Sequence, residues 1–197
     1  PSSDLFSDVP STHWAYSFIK EMKDLGIVNG VSNTEFAPDA NITRAEFAKM
    51  VAQAFGLKAT ATESVFTDCT ASDWYTPFVI AGTEAGILKG ISDTEFGANQ
   101  QITRQDICTV LGRILDAENT ISAAADSSFT DIDQVADYAV AAVKAFVAAG
   151  VVNGYEDGTF RPTANATRAE VSKILCSVLK LDNAVSKAAY AALTGAE

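Results

Sequence analysis

Three arginines recur at one spacing: Arg44 in ITRAE, Arg104 in ITRQD and Arg168 in ATRAE each stand fourteen residues after a glycine, Gly30, Gly90 or Gly154. A guanidinium is a planar fork of N–H donors that matches a carboxylate or a phosphate. The Thr-x-x-Glu spacing of Thr43 to Glu46 and of Thr167 to Glu170 is a capping box, and Thr103 to Asp106 keeps the pattern with a shorter acid. Each arginine therefore falls in the first turn of a helix, where a cation opposes the helix dipole unless something anionic lies nearby. Free backbone N–H groups, the positive dipole end and the guanidinium would together make an anion site. The competing reading is an ion pair with Asp8, Asp68 or Asp131, or another nearby acid, bracing a loop against the next copy.

Trp14, Trp74 and Tyr138 recur as well, each ahead of an apolar helical pattern. They read either as the first core residue of a helix or as rings partly exposed beside a groove, offering a face to a sugar. Gly30, Gly90 and Gly154 read as turn residues of positive φ whose missing side chains also permit close ligand approach.

These residues belong to three copies of one unit of about 55 residues, near the size at which a lone core is marginal, so the copies are expected to share burial in one domain. FSD at Phe6 to Asp8 returns as FTD at Phe66 to Asp68 and Phe129 to Asp131, and GIVNG returns as GILKG and GVVNG. From Trp14, residues Phe18, Met22 and Leu25 mark one helical face, ended by a left-handed cap at Gly26, with Gly86 and Gly150 as counterparts. A turn-rich loop around a core phenylalanine follows, at Phe36, Phe96 or Phe160. A second helix carries the stripe Phe47, Met50, Val51, Ala54 and Phe55, repeated from Ile107 to Leu115 and from Val171 to Leu179; the three stripes could meet around a common axis. The copies span residues 1–58, 64–116 and 127–181, joined by LKATATESV and DAENTISAAADSS. Residues 182–197 form an extension, with a short helix expected from Asp182 to 193.

Composition excludes several classes. Hydrophobic residues make up 48% of the chain and its net charge is −11, so it should fold and should repel nucleic acid. The opening PSSDLFSDVP lacks a signal peptide's basic and apolar segments, and no apolar run predicts membrane insertion. Cys69, Cys108 and Cys176 form an odd set beside the single His13, which suggests reduced thiols, no metal site and no cofactor. No nucleophile–base set or phosphate loop is present, so no catalytic residue is assigned.

On these motifs, from Phe6 to Leu181, the chain resembles a tandem of three S-layer homology (SLH) domains. The resemblance implies a mainly α fold, three helix-loop-helix repeats forming a pseudo-threefold, three-prong spindle, monomeric as a module. It implies a noncatalytic anchor, extracellular, holding an S-layer or other surface protein to the bacterial cell wall. The expected partner is a secondary cell-wall polysaccharide attached to peptidoglycan, carrying pyruvylated N-acetylmannosamine, bound in grooves between repeats. The family's arginine maps to Arg44, Arg104 and Arg168, its aromatic to Trp14, Trp74 and Tyr138, and its groove glycine to Gly30, Gly90 and Gly154. Asp8, Asp68 and Asp131 complete the candidate ligand-binding set, and each site should draw on two copies. The second copy departs at TRQD, Lys89 and Ala98, and the third at Tyr138, so the grooves of Arg44 and Arg168 rank above that of Arg104. The alternatives are an oligomerisation scaffold braced by the arginines, a polysaccharide-degrading enzyme, and an anchor to modified peptidoglycan.

Overall fold

The computed structural model describes residues 5–122 and 129–196. Residues 123–128, inside the DAENTISAAADSS joint and including the start assigned to the third copy, lie outside the described residues. The elements are helical: α1 (Tyr16–Asp24), α2 (Arg44–Phe55), α3 (Thr76–Glu84), α4 (Arg104–Leu115), α5 (Ala117–Thr120), α6 (Val140–Ala148), α7 (Arg168–Leu179) and α8 (Ala184–Thr194). The loops between paired helices hold turns and isolated backbone bridges rather than strands among the described residues. None of the described helices is long and apolar enough to cross a membrane.

The first helix of each copy starts later than the tryptophan pattern implies. Trp14 lies ahead of α1, and the inward face is Ala15, Ile19 and Met22, while Phe18 and Leu25 are only partly buried. The helix closes as the sequence predicts. Gly26 takes φ +74°, its N–H reaching Lys23 O and the Ile27 N–H reaching Met22 O, the paired bonds of a Schellman cap. Gly86 and Gly150 repeat the conformation.

The stripe of each second helix is buried, from Phe47 and Val51 to Ile107 and Leu111 and to Val171 and Leu175, with Phe55 and Ile114 only partly so. Each packs on the first helix of a different copy: α2 on α3, α4 on α6, and α7 on α1. The exchange closes on itself, so every copy buries its apolar faces against its neighbours. That is the physical answer to a unit too small to hold a core alone.

Short segments ahead of the second helices lock the cycle. Ile42 N–H donates to Ala166 O at 3.1 Å, Ala166 N–H to Ile102 O at 3.4 Å, and Ile102 N–H to Ile42 O at 3.1 Å. Helix α8, capped by Asn183 rather than Asp182, packs on α2, α4 and α7. Its Tyr190 hydroxyl donates to Glu21 of α1, which also accepts from Lys180, the residue that follows α7, at 2.6 Å.

Candidate functional site

Each site begins with the loop that follows a first helix. Phe36 is fully buried and packs on Phe6 with ring centroids 5.4 Å apart, and Phe96 with Phe66 and Phe160 with Phe129 repeat the pair at 5.7 Å. The next residue is left-handed in every copy: Ala37 at φ 56°, Gly97 at 75° and Arg161 at 57°. For Ala37 and Arg161 this is a strained conformation. The aspartates hold it. Asp8 accepts the Phe36 and Ala37 N–H groups at 2.9 and 2.7 Å, and Asp131 accepts those of Phe160 and Arg161 at 2.7 and 2.8 Å. Asp68 accepts three, from Phe96, Gly97 and Ala98. Burial would raise the Asp68 pKa, but these donors outweigh it and hold the carboxyl below its usual range. Asp8, Asp68 and Asp131 thus sit beneath the loops and line none of the three grooves.

The arginines do not pair with Asp8, Asp68 or Asp131; their hydrogen bonds go to backbone carbonyls. Arg168 donates Nε–H to Phe36 O at 2.8 Å and Nη2–H to Asn29 O at 2.7 Å. Arg44 does the same with Phe96 O and Lys89 O, and Arg104 with Phe160 O and Asn153 O. Each guanidinium also lies 4.6 to 4.9 Å from the centroid of that phenylalanine ring. The brace to the next copy is therefore real, but it runs through carbonyls. The third nitrogen, Nη1, is the one near the groove acids: 3.7 Å from Glu46 for Arg168 and 4.0 Å from Asp106 for Arg44. Among the described residues Arg104 has no carboxylate within 4.0 Å. Burial draws the pKa values of Arg44 and Arg168 down from the usual guanidinium range, and the nearby carboxylates oppose that shift.

The first-turn N–H groups are not free for an anion. Arg44 N–H donates to Gln100 O, Arg104 N–H to Ala164 O and Arg168 N–H to Ala40 O, and the next residue's N–H reaches Ala98 O, Pro162 O or Pro38 O. The third N–H goes to the capping threonine. Any anion is left to the guanidinium and not to the helix end. The full capping box forms at Thr43 and Thr167 but not at Thr103, where the shorter Asp106 takes the Tyr138 hydroxyl at 2.8 Å.

Gly30, Gly90 and Gly154 line the grooves without positive φ. Their requirement is space: a Cβ on Gly30 would stand 2.4 Å from Ser32 O, and one on Gly154 would stand 2.1 Å from the Phe129 ring. Trp14 and Trp74 are each 55% exposed and Tyr138 59%, so the core reading of these rings fails.

Each groove collects its arginine, glycine loop and aromatic from three different copies rather than two. Arg168, Gly30 and Trp74 line one; Arg104, Gly154 and Trp14 a second; Arg44, Gly90 and Tyr138 the third. Arg113 of the Arg44 groove escaped the sequence reading, and so did two lysines, Lys49 in the Arg168 groove and Lys173 in the Arg104 groove. The signal was present, since both stand five residues after the signature arginine, where the second copy has Thr109. The Arg104 and Arg168 grooves therefore match in residue type: Arg, Asn, Gly, Trp, Glu and Lys. Lys89, Asp106 and Tyr138 all converge on the Arg44 groove, which is the odd one.

The S-layer homology domain model matches the chain at residues 5–48, 65–108 and 128–172. An endoglucanase of Bacillus sp. (strain KSM-635) is 31% identical over 176 residues, 88% of this chain and 18% of that protein. The surface-layer 125 kDa protein of Lysinibacillus sphaericus is 30% identical over 177 residues, 88% of this chain and 15% of that protein. The S-layer protein sap of Bacillus anthracis is 27% identical over 175 residues, 89% of this chain and 21% of that protein. The chain thus spans about a fifth or less of the relatives it matches.

Proposed function

The chain belongs to the S-layer homology domain family, and on that footing we propose that it is a noncatalytic module anchoring a surface protein to the bacterial cell wall. Its partner is an acidic glycan of the wall, a secondary polymer bearing pyruvylated N-acetylmannosamine. The observation that carries this reading is the threefold assembly of one trio: a guanidinium with one outward nitrogen, a glycine loop with no side chain in the way, and an exposed ring. The ketal carboxylate suits Nη1, backed in two grooves by Lys49 or Lys173. The sugar face suits the ring. The chain carries a net charge of −11, so this capture is local and salt-sensitive. Three sites on one polymer multiply a weak single contact by effective concentration.

A second reading, a scaffold whose arginines only brace, draws on the Nε and Nη2 bonds to carbonyls. Calorimetric titration with the methyl glycoside of 4,6-pyruvylated N-acetylmannosamine separates the two. Binding in the millimolar range or tighter supports the anchor. Heat of dilution alone, with no retention on purified walls, supports the scaffold. Retention on walls stripped of secondary polymer would move the ligand to modified peptidoglycan.

A further inference from the structure

The three grooves differ in size. The Arg44 groove encloses 480 Å³, against 230 Å³ for the Arg168 groove and 180 Å³ for the Arg104 groove. The first alone of these reaches the range of several hundred Å³ that encloses ligands larger than one small ring.

The cause lies in the second copy. Five residues after the signature arginine it carries Thr109 where the others carry Lys49 and Lys173; nine residues after, it carries Arg113 where the others carry Gln53 and Ser177. The positive charge has moved one turn along α4. Arg113 Nη1–H donates to Ile87 O at 3.0 Å, which fixes that guanidinium on the groove wall. Tyr138 is held to Asp106, and burial of its hydroxyl together with that carboxylate pushes the phenol up to about 12, so it remains a donor.

The groove does not stop at Tyr138. A further cleft of 170 Å³ shares Thr109, Arg113 and Tyr138 with it and continues to Asp116 and Glu118. Its floor is built by the short helix α5. Asp116 turns the chain at φ 49° into α5, whereas α2 ends at Gly56 without such a helix and α7 leads towards α8. Gly112 lets α4 close on α6, since a Cβ there would lie 2.7 Å from the Ala142 Cβ.

We infer that the Arg44 groove and this adjoining cleft form one continuous site for two sugar rings of an acidic glycan. The acidic ring lies against Arg44, and the next ring lies beyond Tyr138, before Arg113, Asp116 and Glu118. One guanidinium and two carboxylates offer donors and acceptors without excess positive charge, which fits the hydroxyls and amide of an uncharged N-acetylated sugar. This assignment rests on the reading of the grooves as acidic-sugar sites.

The test uses the full chain with Trp14→Ala and Trp74→Ala, which disable the other two grooves and leave the Arg44 groove intact. Two probes are titrated by calorimetry: the pyruvylated N-acetylmannosamine methyl glycoside, and the same sugar linked to one N-acetylglucosamine. The two-ring probe should bind about tenfold tighter than the one-ring probe. Arg113→Gln should erase that preference. Ala141→Phe, which fills the cleft while removing no charge, should erase it too and guards against a folding defect in the first variant. Equal affinity for the two probes overturns the two-ring site while leaving the grooves as sugar sites. If neither probe binds the unmutated chain, the reading of the grooves falls and the two-ring site falls with it.

Discussion

Arg168 and Phe36 stand 132 residues apart, yet the guanidinium donates to the phenylalanine's own carbonyl at 2.8 Å and lies 4.6 Å from its ring centroid. One side chain thus ties the last copy to the first. Lysine has the charge but neither the planar fork nor the stacking. Arg168→Lys should lower unfolding free energy by about 3 kcal/mol, since two charge-assisted bonds from a buried group are lost. Arg44, less buried, should lose less on the same change. Urea unfolding followed by circular dichroism measures both, and a Lys variant as stable as the parent would show that the fork is not structural.

Much of this was legible in the sequence because it is local. The glycine caps, the threonine caps and the second-helix stripes each depend on a few neighbouring residues, so spacing alone specified them. The partners of those stripes did not follow, since nothing in Phe47 or Val171 says which copy it will touch. The same limit explains the groove ranking. Departures at 89, 106 and 138 come from two copies, and only the cyclic exchange of helices brings them beside Arg44. Trp14 stayed open between core and groove because an aromatic two positions ahead of a helix carries the same pattern as its first buried residue.

Gly30 and Gly26 should respond differently to alanine. Gly26 needs its left-handed φ but has open space around the missing Cβ, so the cost should be about 1 kcal/mol. Gly30 has an ordinary φ and no space, with two loop carbonyls within 2.6 Å of the added atom. Gly30→Ala should therefore destabilise by more than Gly26→Ala and should disturb the loop amides from Val31 to Phe36 in an NMR spectrum. The reverse order would mean that backbone conformation, and not crowding, governs that position.

Acid should loosen the loop of the second copy. The Asp68 pKa is held below its usual value in the folded chain, so its contribution is present above the unfolded value near 4 and is lost as pH falls through the folded value. Glu21 follows the same sign: burial opposes ionisation, but Lys180, Cys176 and Tyr190 together bring its pKa down. Thermal midpoints should decline below about pH 4. Asp68→Asn should flatten that decline at the expense of stability at neutral pH, because an amide keeps one acceptor oxygen where the carboxylate offers two. A decline of unchanged steepness would assign the acid sensitivity elsewhere.

Trp14→Ala and Trp74→Ala should leave stability within about 0.5 kcal/mol, since both rings stand mostly in solvent. Retention on purified cell walls should nevertheless drop by about tenfold or more for the double variant, as two of three contacts on one polymer are weakened together. Intrinsic fluorescence offers a second readout, because these are the chain's two tryptophans and each lines a different groove. Unchanged retention with unchanged stability would remove the aromatic rings from the wall contact.

Helix partners, backbone ring and grooves all follow one rotation from copy to copy, and that rule governs how the module could be shortened in evolution or by a protease. In an open array of repeats, removing an end unit subtracts one site and leaves the rest standing. Here every groove needs a contribution from each copy, so a chain with two copies would carry no complete groove at all. On the proposed reading, valency would fall from three to none in one step, and the smallest functional version of this anchor would be the whole of it.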